Sequence, residues 1–138
     1  MPDVLFEDEW VSLTPGEKKT LRDRGLQVRE LAGPSVARAA RHFDRHRRLQ
    51  MKDCFALALA EDIEDSILLT GDGVLRRVAE SNGLEVRGVL WAIDEFETHG
   101  IVPLQRLHDA LQLFHDDPLV FLPVDELLHR LRRLARML

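Results

Sequence analysis

Residues 66–73 have the sequence SILLTGDG, and this stretch decides the predicted fold. Residues 66–70 form a short, mostly apolar run, which is typical of a buried parallel strand. The turn at residues 71–73 leads into a helix predicted for residues 74–81, and Asn82-Gly83 marks its end. A strand that passes directly into a helix indicates a βα unit, the building block of parallel sheets.

The sequence on both sides of this stretch predicts further strands and helices. Apolar residues at helical or alternating spacing, together with Gly and Pro breaks, set the boundaries. Strands that alternate with helices predict an α/β fold with a parallel sheet, whose ligand site lies beyond the carboxyl ends of the strands. Asp72 follows such an end, and Asp53 begins the helix that leads into the same strand. The predicted strands are residues 26–31, 66–70 and 84–88, and the predicted helices are 4–13, 15–24, 33–49, one starting at 53, 74–81, 89–98, 103–114 and 124–137.

Length and composition favour one globular domain, residues 1–138, in the cytoplasm. The chain is 45% hydrophobic and 31% charged, which is ordinary for a globular protein. Its single cysteine, Cys54, excludes an internal disulfide and favours a reducing compartment. No apolar run approaches the roughly 20 residues of a membrane span, and the acidic N-terminus is unlike a signal peptide. We therefore expect no membrane association.

Two stretches resemble the PIN-domain family, which includes the VapC-type toxins of toxin–antitoxin pairs. Residues 49–58, LQMKDCFALA, are similar to the family's helix start around its third acidic residue, which Asp53 matches. Gln50 stands where serine is common in the family. Residues 68–76, LLTGDGVLR, contain the family's T-x-D pattern, in which Asp72 matches the fourth acidic residue. The resemblance implies a PIN-like parallel sheet flanked by helices.

The resemblance also implies a chemistry and its residues. In the family, four acidic side chains bind Mg²⁺ or Mn²⁺ and cleave RNA by metal-activated water, and hard cations of this kind prefer oxygen ligands. Asp53 and Asp72 are the first two candidates for metal binding and catalysis. The second acidic residue of the family falls in the run of acids at residues 7–9, where Asp8 and Glu7 are both open as candidates.

The family's first acidic residue has no counterpart in this sequence. In PIN domains it ends an opening strand, whereas Met1 falls at about the family's second helix. We therefore expect an N-terminally incomplete PIN-like sheet, through truncation, a mis-assigned start or a strand supplied by a partner.

Basic residues at positions 38–48 form a candidate RNA-binding face. The net charge of −5 argues against nucleic-acid binding through overall basicity, but a local patch can hold phosphates. The alternative, slightly favoured, is a solvated helix face with Val36, Ala39, Ala40 and Phe43 turned inward. Thr70 is more consistent with a role in supporting the turn, although its hydroxyl could hold a metal-bound water. The candidate RNA-contacting residues are Arg41, Arg45, Arg48 and Thr70.

Two functional hypotheses follow. The first is a Mg²⁺- or Mn²⁺-dependent endoribonuclease of a toxin–antitoxin system, with RNA as substrate, a cognate antitoxin as partner and a homodimer as one assembly. The second is a non-catalytic PIN-like protein-interaction module or an inactive truncated fragment, since the first acidic residue is missing.

Overall fold

The computed structural model describes all 138 residues and has a mixed α/β fold. It contains eight helices and a sheet of two parallel strands. In chain order the elements are α1 (Asp3–Asp8), α2 (Pro15–Asp23), α3 (Gly33–Arg45), α4 (Met51–Asp62), β1 (Ile67–Leu69), α5 (Gly73–Ser81), β2 (Glu85–Arg87), α6 (Val89–Thr98), α7 (Leu104–Asp116) and α8 (Val124–Met137).

The chain divides into two compact units. Unit 1 comprises residues 1–68 and 72–86, and unit 2 comprises residues 69–71 and 87–138. Each unit has its own cluster of buried apolar side chains. The longest helix, α8, has only 14 residues and many charges, so no helix of the structure could span a bilayer.

Helix α4 is the centre of unit 1. It packs against α1, α3 and α5, and its apolar residues therefore lie on more than one face. Cys54, Leu57 and Ala58 are fully buried. Burial, with a smaller contribution from the charge of Asp53, raises the pKa of the Cys54 thiol to about 11. The thiol is therefore protonated and unreactive at neutral pH.

A polar network joins α3 to the end of α4. The His42 imidazole lies 2.9 Å from Glu61 and is buried. Arg38 donates to Asp62 at 2.8 Å, and the Ser35 hydroxyl donates to the other oxygen of that carboxylate at 2.5 Å. These contacts fix which face of α3 turns inward, because buried polar groups need partners.

Helix α3 is therefore rotated relative to the sequence prediction. The residues that turn inward are Ser35, Ala39 and His42, whereas Val36 and Phe43 are each 40% exposed. The prediction placed Val36 and Phe43 inside because it weighed apolar character alone. The carboxylates of α4 instead favour burial of the face of α3 that carries Ser35 and His42.

A helix capping box and cation–π contacts stabilise the N-terminal part of unit 1. Thr14 and Glu17 form the predicted capping box at the start of α2. Phe6 is the buried residue of α1, and cations of α2, Lys18 and Arg22, lie over its ring. Helix α1 ends at Asp8 and is shorter than the predicted 4–13.

The strand predictions are confirmed in part. β1 and β2 lie within the predicted strands 66–70 and 84–88, and each buries its central residue, Leu68 and Val86. β1 is not fully buried as predicted, because its two outer residues are exposed. The predicted strand at residues 26–31 was wrong, since only a single parallel bridge between Pro2 and Arg29 forms there.

Unit 2 is a helical assembly with a leucine-rich core. α7 packs against α6 and α8, and three fully or nearly fully buried leucines, Leu107, Leu111 and Leu134, fill the centre. Asp94 of α6 accepts hydrogen bonds from Arg130 at 2.5 Å and Arg133 at 3.0 Å, both on α8. These charged contacts join the first and last helices of the unit.

The Asp94 contacts predict a pH-dependent contribution to stability. Burial opposes ionisation of Asp94, but the two arginine hydrogen bonds outweigh it and hold the pKa of this carboxyl below its usual value of 3.8. A carboxyl with a lowered pKa stabilises the fold above its unfolded pKa, and this contribution disappears as the pH falls through the folded pKa. We expect Asp94→Asn to lower the free energy of unfolding by about 1–2 kcal/mol at pH 7. Urea unfolding at pH 7 and at pH 3 measures both values.

The control for this prediction is Asp109→Asn on the exposed side of α7, which removes an equal charge. It should change the unfolding free energy by less than about 0.5 kcal/mol. A deficit of Asp94→Asn that is as large at pH 3 as at pH 7 would contradict the ionic explanation.

Candidate functional site

Asp53 lies in the first turn of α4, as the third helical residue of a capping box whose N-cap is Gln50. Its Oδ2 accepts a hydrogen bond from the backbone N–H of Gln50 at 2.9 Å, and the Gln50 side chain completes a capping box. The helix therefore begins at Met51, two residues before the predicted start. Oδ1 of Asp53 accepts no hydrogen bond, so the carboxylate keeps lone pairs for a further ligand.

Asp72 is the N-cap of α5 and follows β1. Its Oδ1 accepts hydrogen bonds from the backbone N–H groups of Val74 and Leu75 at 2.7 and 2.8 Å. Thr70, between strand and cap, donates its backbone N–H to the carbonyl of Arg87 at 3.0 Å. Asp72 is exposed at the start of α5, just after the end of β1. Ligand sites of parallel sheets lie in this position, beyond the carboxyl ends of the strands.

The two α1 candidates have different surroundings. Glu7 is the partner of cations on α2, Lys18 at 3.8 Å and Arg22 at 3.7 Å. Asp8 is exposed and makes no ion pair. Neither side chain forms a hydrogen bond or an ion pair with the first turn of α4, and their part in a metal site stays a prediction.

Glu9, the residue directly after α1, is the acidic residue that contacts α4. It forms an ion pair with Lys52, the residue directly before Asp53. The hydrogen bond to Glu9 raises the pKa of Lys52, and the charge of Asp53 adds a smaller effect in the same direction. In the sequence, Glu9 is only one of a run of acids. The signal that points to it is Lys52 beside Asp53, a cation with which an acid of this run can pair.

The donor set suits a small divalent cation. No group of three or more His, Cys, Asp or Glu side chains is arranged to hold a metal ion in this structure. Mg²⁺, however, commonly takes one or two protein carboxylates and completes its shell with waters and substrate phosphates. Asp53 and Asp72 are carboxylates on two helices, α4 and α5, that contact each other. Their chemistry fits Mg²⁺ or Mn²⁺.

The basic face of α3 is only partly available for a ligand. Arg38 is bound to Asp62 and to Glu61. The three arginines named from the sequence, Arg41, Arg45 and Arg48, are exposed, and none of them forms an ion pair in the structure. Their guanidinium groups therefore face solvent and are free to contact an anion.

Comparison with known proteins gives one match. The family model described as PIN domain matches residues 8–136, which is nearly the whole chain. Neither the curated proteins nor the solved structures include a match. The match spans both acidic positions at the helix starts, Asp53 and Asp72, and both units of the structure. The chain belongs to the PIN-domain family.

Proposed function

We propose that this PIN domain is a divalent-metal-dependent endoribonuclease. The observation that carries the proposal is the pair of carboxylates, Asp53 and Asp72, each set at the start of a helix in unit 1 of a chain that belongs to the family. Both are fixed by backbone hydrogen bonds, so their positions are set before any ligand binds.

Asp53 and Asp72 would hold a Mg²⁺ or Mn²⁺ ion, which when bound activates water and offsets the charge that develops on the scissile phosphate. The α1 acid that contributes to the site is Asp8 or Glu7. The hydrogen bonds to backbone N–H groups orient the two helix-start carboxylates, and Oδ1 of Asp53 keeps lone pairs that can accept a cation. A cation between clustered carboxylates would also reduce their mutual repulsion and their repulsion of a phosphate.

RNA binding would depend on arginines of α3 and of the turn that follows it. Arg41, Arg45 and Arg48 offer guanidinium groups that pair with phosphates and stack on unpaired bases. The Thr70 hydroxyl would hold a water molecule at the strand end. We further propose that the enzyme acts in the cytoplasm and that a cognate antitoxin restrains it. The observation behind this last step is the resemblance of residues 49–58 and 68–76 to VapC-type toxins.

The decisive experiment is cleavage of a mixed RNA pool by the purified chain with Mn²⁺, with Mg²⁺ and with a chelator. We expect fragments only with metal, and calorimetry should detect Mn²⁺ binding by the protein alone. Cleavage that continues in chelator, or Mn²⁺ saturation without cleavage, would contradict the proposal. Both readouts are needed because a contaminating nuclease can mimic the first.

Two observations favour a second candidate function. The α1 acid Glu7 is held by Lys18 and Arg22, and no three metal-binding side chains come together. A non-catalytic PIN domain that binds protein partners is consistent with both facts. Mn²⁺ titration separates the candidates, because the binding module predicts no saturable metal site.

A further inference from the structure

The segment between α7 and α8 carries the most exposed apolar side chains of unit 2. Phe121 is 90% exposed and Leu119 is 81% exposed, and Leu113 and Val124 on the flanking helices are 70% and 59% exposed. We call these four residues the α7–α8 surface. Exposed apolar side chains that occur together often mark an interaction site, whereas single exposed ones are common on protein surfaces.

The backbone holds this surface in place without a partner. Asp117 accepts a hydrogen bond from the backbone N–H of Leu119 at 2.9 Å, and its carbonyl accepts one from Val120 at 3.1 Å. Leu122 packs against the core of unit 2. Inward and outward side chains therefore alternate through the loop, and Phe121 is fixed on the solvent side. A preformed apolar surface loses little conformational entropy when a partner binds.

The formally charged side chains of residues 107–129 are all carboxylates, and one of them, Glu126, pairs with Arg130 at 3.4 Å. No lysine or arginine occurs from residue 107 to residue 129. Hydrogen bonds from Gln112 and from His115 hold the pKa of Asp116 below its usual value, so this carboxyl is charged at neutral pH. The carboxylates of the same stretch are Asp109, Asp116, Asp117, Asp125 and Glu126.

This charge selects the occupant. RNA and anionic lipid would meet repulsion from the carboxylates. A symmetric contact of the surface with itself in a second copy would oppose two sets of like charges. We propose that the α7–α8 surface binds a cationic segment of a partner protein, in which apolar side chains cover Phe121 and Leu119 and lysine or arginine side chains pair with the surrounding carboxylates.

The chain itself supplies a probe of the required chemistry. Residues 33–48 contain five arginines and the apolar residues Val36 and Phe43. A fluorescent synthetic peptide with this sequence should bind the full-length protein saturably in an anisotropy titration. Phe121→Ser should weaken this binding at least about tenfold, since aromatic anchors dominate such contacts. Phe121 is almost fully exposed, so the substitution should leave circular dichroism unchanged.

Matched variants separate the apolar and ionic contributions. Ile101→Ser removes another exposed apolar side chain of unit 2 and should leave peptide affinity within about twofold. Asp116→Asn/Asp125→Asn should weaken binding about threefold or more. Glu30→Gln/Asp44→Asn, an equal change of net charge at exposed sites of unit 1, should not.

The proposal is overturned by three results. One is the absence of saturable peptide binding, and another is equal binding by wild type and Phe121→Ser. The third is self-association in sedimentation analysis that Phe121→Ser abolishes, because the occupant would then be a second copy of the chain.

Discussion

Asp53→Asn/Asp72→Asn should lower metal-dependent RNA cleavage at least about hundredfold while the melting temperature stays near that of the wild type. Asparagine serves as an N-cap about as well as aspartate at Asp72, and at Asp53 its amide oxygen can still accept the bond from Gln50, so the backbone hydrogen bonds from Gln50 and Val74 are kept. The substitution removes the negative charges that a divalent cation requires. Initial cleavage rates at several Mn²⁺ concentrations, together with thermal unfolding, measure the two effects separately.

A second pair of variants distinguishes capping from metal binding. Asp53→Ala/Asp72→Ala should lose the same activity and in addition about 2 kcal/mol of stability, because both caps disappear. Asp23→Asn/Asp44→Asn removes two exposed carboxylates from α2 and α3 and should retain activity. If Asp53→Asn/Asp72→Asn cleaves RNA at the wild-type rate, these carboxylates are caps alone.

The largest expected effect on stability is that of Leu57→Ala. Leu57 is fully buried in α4, the helix that contacts three others in unit 1. Removing its branched end leaves a cavity among close-packed neighbours, and the free energy of unfolding should fall by about 3 kcal/mol. Urea unfolding at 25 °C measures this change.

Leu113→Ala is the matched control for the cavity. It deletes the same atoms from a leucine that is 70% exposed on α7, so its cost should stay below about 0.5 kcal/mol. Equal costs for the two variants would show that α4 relaxes to fill the space.

The sequence predicted the long helices of unit 2 well and the N-terminal region poorly. Residues 89–98 and 124–137 match α6 and α8, because their apolar spacing and flanking Gly or Pro residues are local signals. Apolar and polar residues alternate at positions 26–31 as they do in a strand. A strand, however, also needs a neighbouring segment for its backbone hydrogen bonds. Only Pro2 supplies one, and it pairs with Arg29 alone.

Prediction of the candidate site was limited in the same way, because only signals that are local in the sequence could be read. Asp53 and Asp72 were predicted from local motifs, and the structure places both at helix starts, while their role in metal binding stays a prediction. Which α1 acid approaches α4 depends on a contact between residues far apart in sequence, the ion pair of Glu9 with Lys52. The buried face of α3 was predicted wrongly for a similar reason. Carboxylates more than 15 residues away in the sequence determine which of its side chains turn inward.

The buried, protonated Cys54 thiol makes the chain a natural background for spectroscopic labelling. A maleimide reagent reacts with thiolate at an accessible sulfur, and Cys54 offers neither at neutral pH. A cysteine introduced at an exposed position outside the candidate metal ligands, for instance by Asp44→Cys, would therefore be the one site that takes a dye or a nitroxide. Distances from α3 to a bound Mn²⁺ ion could then be measured by paramagnetic broadening, with no need to remove the native sulfur first.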